Sequence, residues 1–185
     1  SDLSIRWYDG EIMKPTPLPF ALSRRQMLAS AAAFGIAPNS SLAATPLRVT
    51  WDMLIPPGVP YSEIIGEGEM DELNDIWNPI YDANATKVNE ALSGAYIRMP
   101  GYIVPLELTS EGTTAFILVP YVGACRHTPP PPPNQLVFTT VAQPWPVDDP
   151  WNAVWVTGMM HTQLQSTEIA EAGYALAAEK IELFT

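Results

Sequence analysis

The sequence predicts a mainly β (α+β) protein, an OB-like five-stranded small barrel with an N-terminal helical segment. Three observations support this fold class. Five β-type stretches follow one another between residues 95 and 184, Pro100-Gly101 interrupts the first, and a short helical stretch precedes the last. A Pro-Gly pair inside a strand marks a bulge or a sharp bend. Such a bend lets one long strand cross both halves of an OB-type barrel.

Residues 1–44 are interpreted as an N-terminal extension with a twin-arginine signal segment. The run Ser23-Arg24-Arg25-Gln26-Met27-Leu28 resembles the twin-arginine export motif, and an Ala-rich apolar stretch follows at 27–37. Ser41-Leu42-Ala43-Ala44 then supplies the small residues that a signal peptidase requires. Sec export is the alternative for the same segment. The expected location is therefore the periplasm.

Residues 45–94 are expected to form an extended arm and a helical segment. The arm, Thr50–Gly58, ends in the turn signal Pro56-Pro57-Gly58. Glu67–Ser93 is predicted to be helical because its first half is acidic, which suits a helix N-terminus. Its candidate core residues have helical spacing, and they are Leu73, Ile76, Trp77 and Ile80. Pro79 interrupts this segment, and a second helix is expected at Ala85–Leu92.

Residues 95–185 are predicted to form the OB-like β-barrel domain. The stretches 95–99 and 102–108 make one bent strand, and the later strands are expected at Thr114–Val119, Gln135–Val141, Trp151–Met159 and Tyr174–Phe184. Runs of β-branched and aromatic residues bounded by turn residues are typical of strands. One or two helical turns are expected at Thr167–Ala172.

Composition excludes several classes of partner. The 185 residues carry 20 Asp and Glu against 9 Lys and Arg, a net charge of −11. This acidity argues against nucleic acid and anionic membrane surfaces as partners. The apolar run 27–37 is too short to span a bilayer, so no membrane span is predicted. A single cysteine excludes an internal disulfide, and the sequence predicts no particular oligomeric state.

The stretch Val119–Gln135 holds the candidate metal ligands Cys125 and His127 next to the prolines Pro129–Pro133. Consecutive prolines form a stiff polyproline II rod. In an extended backbone, side chains two residues apart point to the same side. Cysteine and histidine are preferred ligands of zinc and of other borderline or soft metals. Two ligands do not complete a site, because structural zinc has four protein ligands and catalytic zinc usually has three.

Two further ligands are predicted for this metal. Glu107, at the end of the bent strand, is the expected third ligand, and an ordinary solvated carboxylate is its alternative role. His161 is a further candidate at a strand end. The adjacent Met159 and Met160 would favour copper(I) if they converged on the thiolate, whereas core methionines would leave zinc as the expected metal.

Several motifs together resemble a known family. They are Trp51-Asp52-x-Leu54-Ile55-Pro56-Pro57-Gly58, Pro100-Gly101-Tyr102-x-Val104-Pro105-Leu106-Glu107, Gly123-Ala124-Cys125-x-His127 with the following prolines and Asn134-Gln135, Trp155-Val156-Thr157-Gly158, and Ala172-Gly173-Tyr174. This combination resembles the bacterial domain-of-unknown-function family 3299. The resemblance implies a small exported protein or lipoprotein, often encoded beside an ABC transporter and in some cases near zinc-handling genes. It implies no catalytic residues.

Two functions follow as expectations. The first is a periplasmic metal-binding accessory protein that handles zinc or copper with an ABC transporter component or another envelope protein. The alternative is a non-catalytic protein–protein interaction module that uses the polyproline loop and a barrel face. An enzyme is disfavoured, because the Cys125–His127 pair lacks an orienting Asp or Asn and because no phosphate loop or hydrolase motif occurs.

Overall fold

The structure is a computed structural model, which describes residues 45–72, 76–122, 130–147, 149 and 151–184. The predicted export segment, 1–44, lies outside the described residues. Residues Ala43–Thr185 form one compact unit, which includes both the N-terminal region 45–94 and the barrel region 95–185. The secondary structure consists of ten strands and three 3₁₀ turns in this part of the chain.

The strands have the following bounds, in chain order: β1 Leu47–Arg48, β2 Ile64–Asp71, β3 Ile76–Tyr81, β4 Ala95–Pro105, β5 Thr113–Val119, β6 Val137–Trp145, β7 Val154–His161, β8 Gln165–Ser166, β9 Glu171–Ala172 and β10 Tyr174–Leu183. The 3₁₀ turns are Trp51–Leu54, Glu90–Leu92 and Pro133–Gln135. No helix in the described residues is long and apolar enough to cross a membrane.

Five strands close the predicted OB-like barrel. Their order is β4-β5-β6-β10-β7, and β7 pairs again with β4. The long strand β4 changes partner at its Pro-Gly bend, since Gly101 faces Val154 of β7 whereas Tyr102 faces Val119 of β5. The pair β6–β10 is parallel and the other barrel pairs are antiparallel. This mixed, closed barrel confirms the predicted fold class.

The barrel interior is filled from the inward positions of its strands. Ile97 and Met99 of β4 alternate with outward residues, as expected for a strand with one buried face. Val49 and Leu54 from the N-terminal region are fully buried in the same cluster. The chain between 45 and 94 therefore contributes directly to the core of the barrel.

The prediction of an N-terminal helical segment is wrong for the described residues. The first part of this segment, 67–71 and 76–81, lies in the antiparallel hairpin of β2 and β3. Within it, Gly68 disfavours a helix by about 1 kcal/mol relative to alanine, and its φ of 73° is one that a helix cannot accommodate. Ile80, predicted as core, is exposed. The helix expected at Ala85–Leu92 is only the 3₁₀ turn Glu90–Leu92.

The prediction of helical turns before the last strand is also wrong. Residues 165–172 form the small hairpin of β8 and β9. Thr167 closes the turn, because its hydroxyl donates to Ala170 O at 2.7 Å and accepts from Ala170 N at 3.1 Å. Threonine satisfies backbone groups in this way in turns, in competition with a helix.

Candidate functional site

Glu107 lies at one end of the barrel, just after β4. Its side chain is exposed, and Thr114 Oγ1 donates a hydrogen bond to Glu107 Oε1 at 2.6 Å. The neighbouring backbone is tied to β5, since Leu106 N donates to Ala115 O. The carboxylate is therefore engaged locally with the β4–β5 connection.

His161 lies at the opposite end of β4 from Glu107. His161 is the last residue of β7, and its neighbour Met160 pairs with Ala95, the first residue of β4. The strand between the two sites has a contour length of about 33 Å, at about 3.3 Å per residue. Ligands of one metal ion must all lie within about 2.5 Å of it. The structure therefore does not bring Glu107 and His161 into one site.

Cys125 and His127 fall outside the described residues. Among residues 45–72, 76–122, 130–147, 149 and 151–184, no group of three or more His, Cys, Asp or Glu side chains is placed to hold a metal ion. The connection that carries Cys125 leaves the end of β5 and returns at the start of β6. Phe138 of β6 pairs with Ala175, which pairs with His161, so His161 shares this end of the barrel.

The described prolines are part of the fold rather than an exposed edge. Pro130, Pro131 and Pro132 are buried, and Tyr81 Oη donates to Pro130 O at 2.7 Å. Pro132 has the expected polyproline II geometry, with φ −62° and ψ 155°, and Pro133 begins a 3₁₀ turn. Pro130–Pro132 are therefore packed within the fold, and the role of the polyproline loop as a partner-binding edge stays a prediction.

Asn134 and Gln135 at the end of this stretch hold the N-terminal region on the barrel. Both side chains are buried. Asn134 Nδ2 donates to Asn84 O at 2.9 Å and to Lys87 O at 3.0 Å, while Gln135 Nε2 donates to Trp51 O at 3.1 Å. The Asn-Gln pair that carries much of the family resemblance thus has a structural role.

The outer face of β5 and β6 is apolar. Ile117 and Phe138 pack there with Ala172 and with the half-buried Ile169. The sequences of β5 and β6 contain no Lys or Arg. OB-type barrels bind oligonucleotides on this face and in adjoining loops, in a positively charged groove. The described β5–β6 face lacks that chemistry.

The strongest candidate site is the hairpin arm, which we define as residues 61–72 and 76–81. Its strands β2 and β3 pair with each other and with no other described strand. A two-stranded hairpin is at best marginally stable alone in water. Five large apolar side chains of the arm are exposed, and they are Tyr61, Ile64, Ile65, Met70 and Ile80. Grouped exposure of this kind is typical of an interaction surface.

The arm combines these apolar residues with negative charge. The side chains of Glu63, Glu67, Glu69 and Glu72 are exposed, and no Lys or Arg occurs between residues 61 and 86. The backbone is held in a defined shape, because Trp77 Nε1 donates to Glu67 O at 2.7 Å. At Gly68 a Cβ atom would lie 2.4 Å from Asn78 O, so the two strands meet closely there.

The base of the arm contacts one flank of the segment that carries Cys125 and lies near the other. Tyr81 binds Pro130 O on one flank. On the other flank, partial burial and the nearby phenol of Tyr121 raise the pKa of Tyr61. Asp82 N donates to Glu63 O at 2.9 Å and closes the base of the hairpin. The arm therefore starts beside the most distinctive stretch of the sequence.

The sequence analysis did not predict the hairpin arm, although the sequence contains a pattern that favours a hairpin. Ile64-Ile65 is a β-branched pair, and Gly66-Glu67-Gly68-Glu69 places two glycines where a helix would need good helix formers. The helical spacing of the four apolar residues outweighed that signal in the interpretation. The two patterns together favour a hairpin with exposed carboxylates.

Comparison with known proteins identifies similar chains. Residues 51–183 match the model of the family described as "Protein of unknown function (DUF3299)". The chain is similar to the crystal structure of a DUF3299 family protein from Pseudomonas aeruginosa PAO1, with 34% sequence identity and a TM-score of 0.62. The similarity covers 76% of this chain and 97% of the Pseudomonas chain. No curated protein matches the sequence.

Proposed function

Because the chain belongs to the DUF3299 family of proteins of unknown function, we propose a function from its surface: a non-catalytic interaction module whose hairpin arm docks on a partner protein. The observation that carries the proposal is the exposed apolar surface of β2 and β3. An isolated hairpin gains stability when a partner covers its apolar side chains.

The chemistry of the arm defines its partner. The exposed Ile65, Met70 and Ile80 fit an apolar groove, and the surrounding carboxylates fit a rim of Lys or Arg. Complementary rim charges steer association and fix the register of an interface. A rim of acidic residues would repel the arm, so acidic partner surfaces are excluded by this proposal.

The proposed setting is the periplasm. The support is the twin-arginine-like motif at Ser23–Leu28, with Sec export as the alternative route. The proposed partner is then an ABC transporter component or another envelope protein. Cell fractionation with sequencing of the mature N-terminus tests this setting, and a full-length protein retained in the cytoplasm would contradict it.

Site-specific photocrosslinking tests the arm. A photoreactive residue at Ile65 is expected to capture one defined partner in the native host, because Ile65 is 66% exposed on the arm. The matched control is Leu164, which is 55% exposed and lies outside the arm. Ile65→Asp should then weaken binding of the purified partner about tenfold or more, as expected for a buried anchor. Equal capture from both positions would overturn the proposal.

Metal binding is a second proposed function. Its supporting observation is that His161 is exposed at the barrel end where the connection with Cys125 and His127 leaves and returns. The proposed ligands are Cys125, His127 and His161, and Glu107 is dropped because it lies at the other end. Met160 is fully buried in the core, which favours zinc over copper.

Metal analysis of the purified chain tests the second function. Wild type grown with zinc should carry stoichiometric metal, and Cys125→Ser or His127→Ala should lose it. Glu107→Gln is the matched control and should retain the metal. Metal absent from wild type after addition of zinc or copper would overturn this function and leave the interaction module unaffected.

A further inference from the structure

Three cations lie in one register row on the outside of the barrel. Arg48 of β1 pairs with Arg98 of β4, Arg98 pairs with Thr157 of β7, and Thr157 pairs with Lys180 of β10. The row crosses three inter-strand spacings, which amounts to about 14 Å. Residues 45–185 contain only five Lys and Arg against 17 Asp and Glu, so three cations in one row are a marked concentration of positive charge.

Two aromatic rings lie against this row. The guanidinium carbons of Arg48 and Arg98 each lie 4.8 Å from the ring centroid of Trp155. The ring of Phe184 stacks on Trp155, with centroids 5.1 Å apart and an interplanar angle of 21°. Guanidinium groups held against an indole are positioned for recognition. We name Arg48, Arg98, Lys180, Trp155 and Phe184 the cationic face.

The cationic face has unfilled hydrogen-bond donors. Glu182 is shared by Arg98 at 3.2 Å and Lys180 at 2.8 Å, and Glu179 accepts from Tyr96 Oη at 3.1 Å. No described carboxylate pairs with Arg48. Arg48 is exposed and therefore reachable by a partner, whereas the Nε atom of Arg98 is buried and out of reach. Guanidinium donors bind carboxylates most strongly, so a further carboxylate is the ligand that this face fits.

The hairpin arm provides such carboxylates. Glu67 and Glu69 are both exposed and flank Gly68, where the register of β2 shifts, so the arm carries two carboxylates close together in sequence. Neighbouring cations of the row are separated by one or two strand spacings, about 4.8 to 9.6 Å. The arm also exposes Ile65 and Met70, which can pack on the rings of the face. Arm and face are therefore complementary in both charge and apolar surface.

We propose that the arm of one chain docks on the cationic face of a second copy of this chain. This inference rests on the proposed function, because it names the partner of the arm. Two chains of net charge −11 repel each other at long range. At about 0.1 M salt the Debye length is about 10 Å, so this repulsion is screened while ion pairs in contact retain their attraction.

Charge-reversal variants of the full chain test the proposal by sedimentation velocity at moderate salt. The face variant combines Arg48→Glu with Lys180→Glu, and the arm variant combines Glu67→Lys with Glu69→Lys. Wild type should self-associate between micromolar and sub-millimolar concentration, and each variant alone should sediment as a monomer. An equimolar mixture should form a dimer, because the intact arm of the face variant meets the intact face of the arm variant.

Matched controls separate this contact from general charge effects. Glu111→Lys with Glu168→Lys makes the same charge change as the arm variant at exposed positions outside the arm, and it should self-associate at least as well as wild type. Circular dichroism of each variant should match that of wild type. A monomeric wild type, or variants that self-associate like wild type, or a mixture that stays monomeric would overturn the proposal.

The outcomes also distinguish this inference from the proposed function. A monomeric wild type whose arm still crosslinks a different protein at Ile65 overturns self-docking and supports the interaction module. Crosslinks at Ile65 to a second copy of the chain support both. The absence of any arm-specific crosslink, together with a monomeric wild type, overturns both.

Discussion

Replacing Tyr174 with phenylalanine measures how firmly the N-terminal region is held on the barrel. Tyr174 is fully buried, its hydroxyl donates to Leu54 O, and the same oxygen accepts from Asn89 N at 2.6 Å. Asn89 N also reaches Leu54 O at 3.3 Å. After the substitution, Leu54 O and Asn89 N therefore retain each other, although at the longer distance.

This remaining bond sets the expected magnitude. Leaving buried polar groups without a partner costs about 1–3 kcal/mol. Because one contact is retained, Tyr174→Phe should lower the free energy of unfolding by about 1–2 kcal/mol. For a chain of this size the melting temperature should fall by about 2–8 °C. Thermal unfolding at neutral pH, followed by circular dichroism, measures this change.

The pH dependence gives a second, independent readout. Burial raises the pKa of Tyr174 from 10.0 to about 12, although the hydrogen bond from Asn89 acts in the opposite direction. Above pH 10 the unfolded phenol loses its proton while the folded phenol keeps it, so rising pH favours unfolding. The stability from neutral Tyr174 is complete below pH 10 and is lost as the pH rises through about 12. Phenylalanine has no proton to lose.

The difference in melting temperature between wild type and Tyr174→Phe should therefore be largest below pH 10 and shrink toward pH 12. Taking the difference cancels the titration of the other tyrosines, including Tyr61 and Tyr96. An unchanged melting temperature at neutral pH, or a difference that stays constant up to pH 12, would refute the assigned role of the hydroxyl.

Two further predictions concern β7 and β10. Gly158→Ala would place a Cβ atom 2.0 Å from Ala177 O and 2.8 Å from Ala178 Cα. Because both are backbone atoms, the free energy of unfolding should fall by about 3 kcal/mol or more; a urea midpoint equal to that of wild type would contradict this. The hydrogen bond from Lys180 lowers the pKa of Glu182 below 4.5, so its stabilisation is present above pH 4.5 and is lost as the pH falls through the lower folded pKa. Glu182→Gln should remove this acid dependence, and identical acid unfolding profiles of variant and wild type would count against the ion pair.

The barrel could be predicted from the sequence because its signals are local. Each barrel strand carries its own β-branched or aromatic run, and Pro100-Gly101 marks the point where β4 changes partner. Those signals also restrict the connectivity, since one bent strand must pair with two others. The predicted strand bounds at Thr114–Val119 and Tyr174–Phe184 differ from the observed ones by one residue.

The helix predictions were wrong because helical spacing over a short window is weak evidence. Leu73, Ile76, Trp77 and Ile80 fit a helix by spacing alone, yet Trp77 and Ile80 lie in a strand with Pro79 between them. The glycines at 66 and 68 argue against a helix, because glycine has a low helix propensity. A positive φ at Gly68 is a backbone property, which the pattern of apolar residues does not report.

The candidate site was harder to predict because it depends on distance across the fold. Glu107 follows β4 and His161 ends β7, and sequence alone does not say at which end of the barrel each strand finishes. The register of β4 places them apart, because its first residue, Ala95, pairs with Met160 beside His161, whereas Glu107 follows its last residue. Pro130–Pro132 are buried, and the hydrogen bond from Tyr81 to Pro130 O shows that they meet a part of the chain that is distant in sequence.

The cationic face shows how an uncharged residue can determine where a charge lies. Leu176 and Ala178 of β10 are buried, and strict alternation would turn residue 180 toward the core as well. The register shift between Ala178 and Lys180 inserts one residue, so Lys180 is exposed and Ile181 is buried. Gly158 pairs with Ala178 at this bulge and leaves no room for a Cβ atom. The outward position of Lys180, beside Arg98 and Trp155, therefore depends on a glycine in the neighbouring strand.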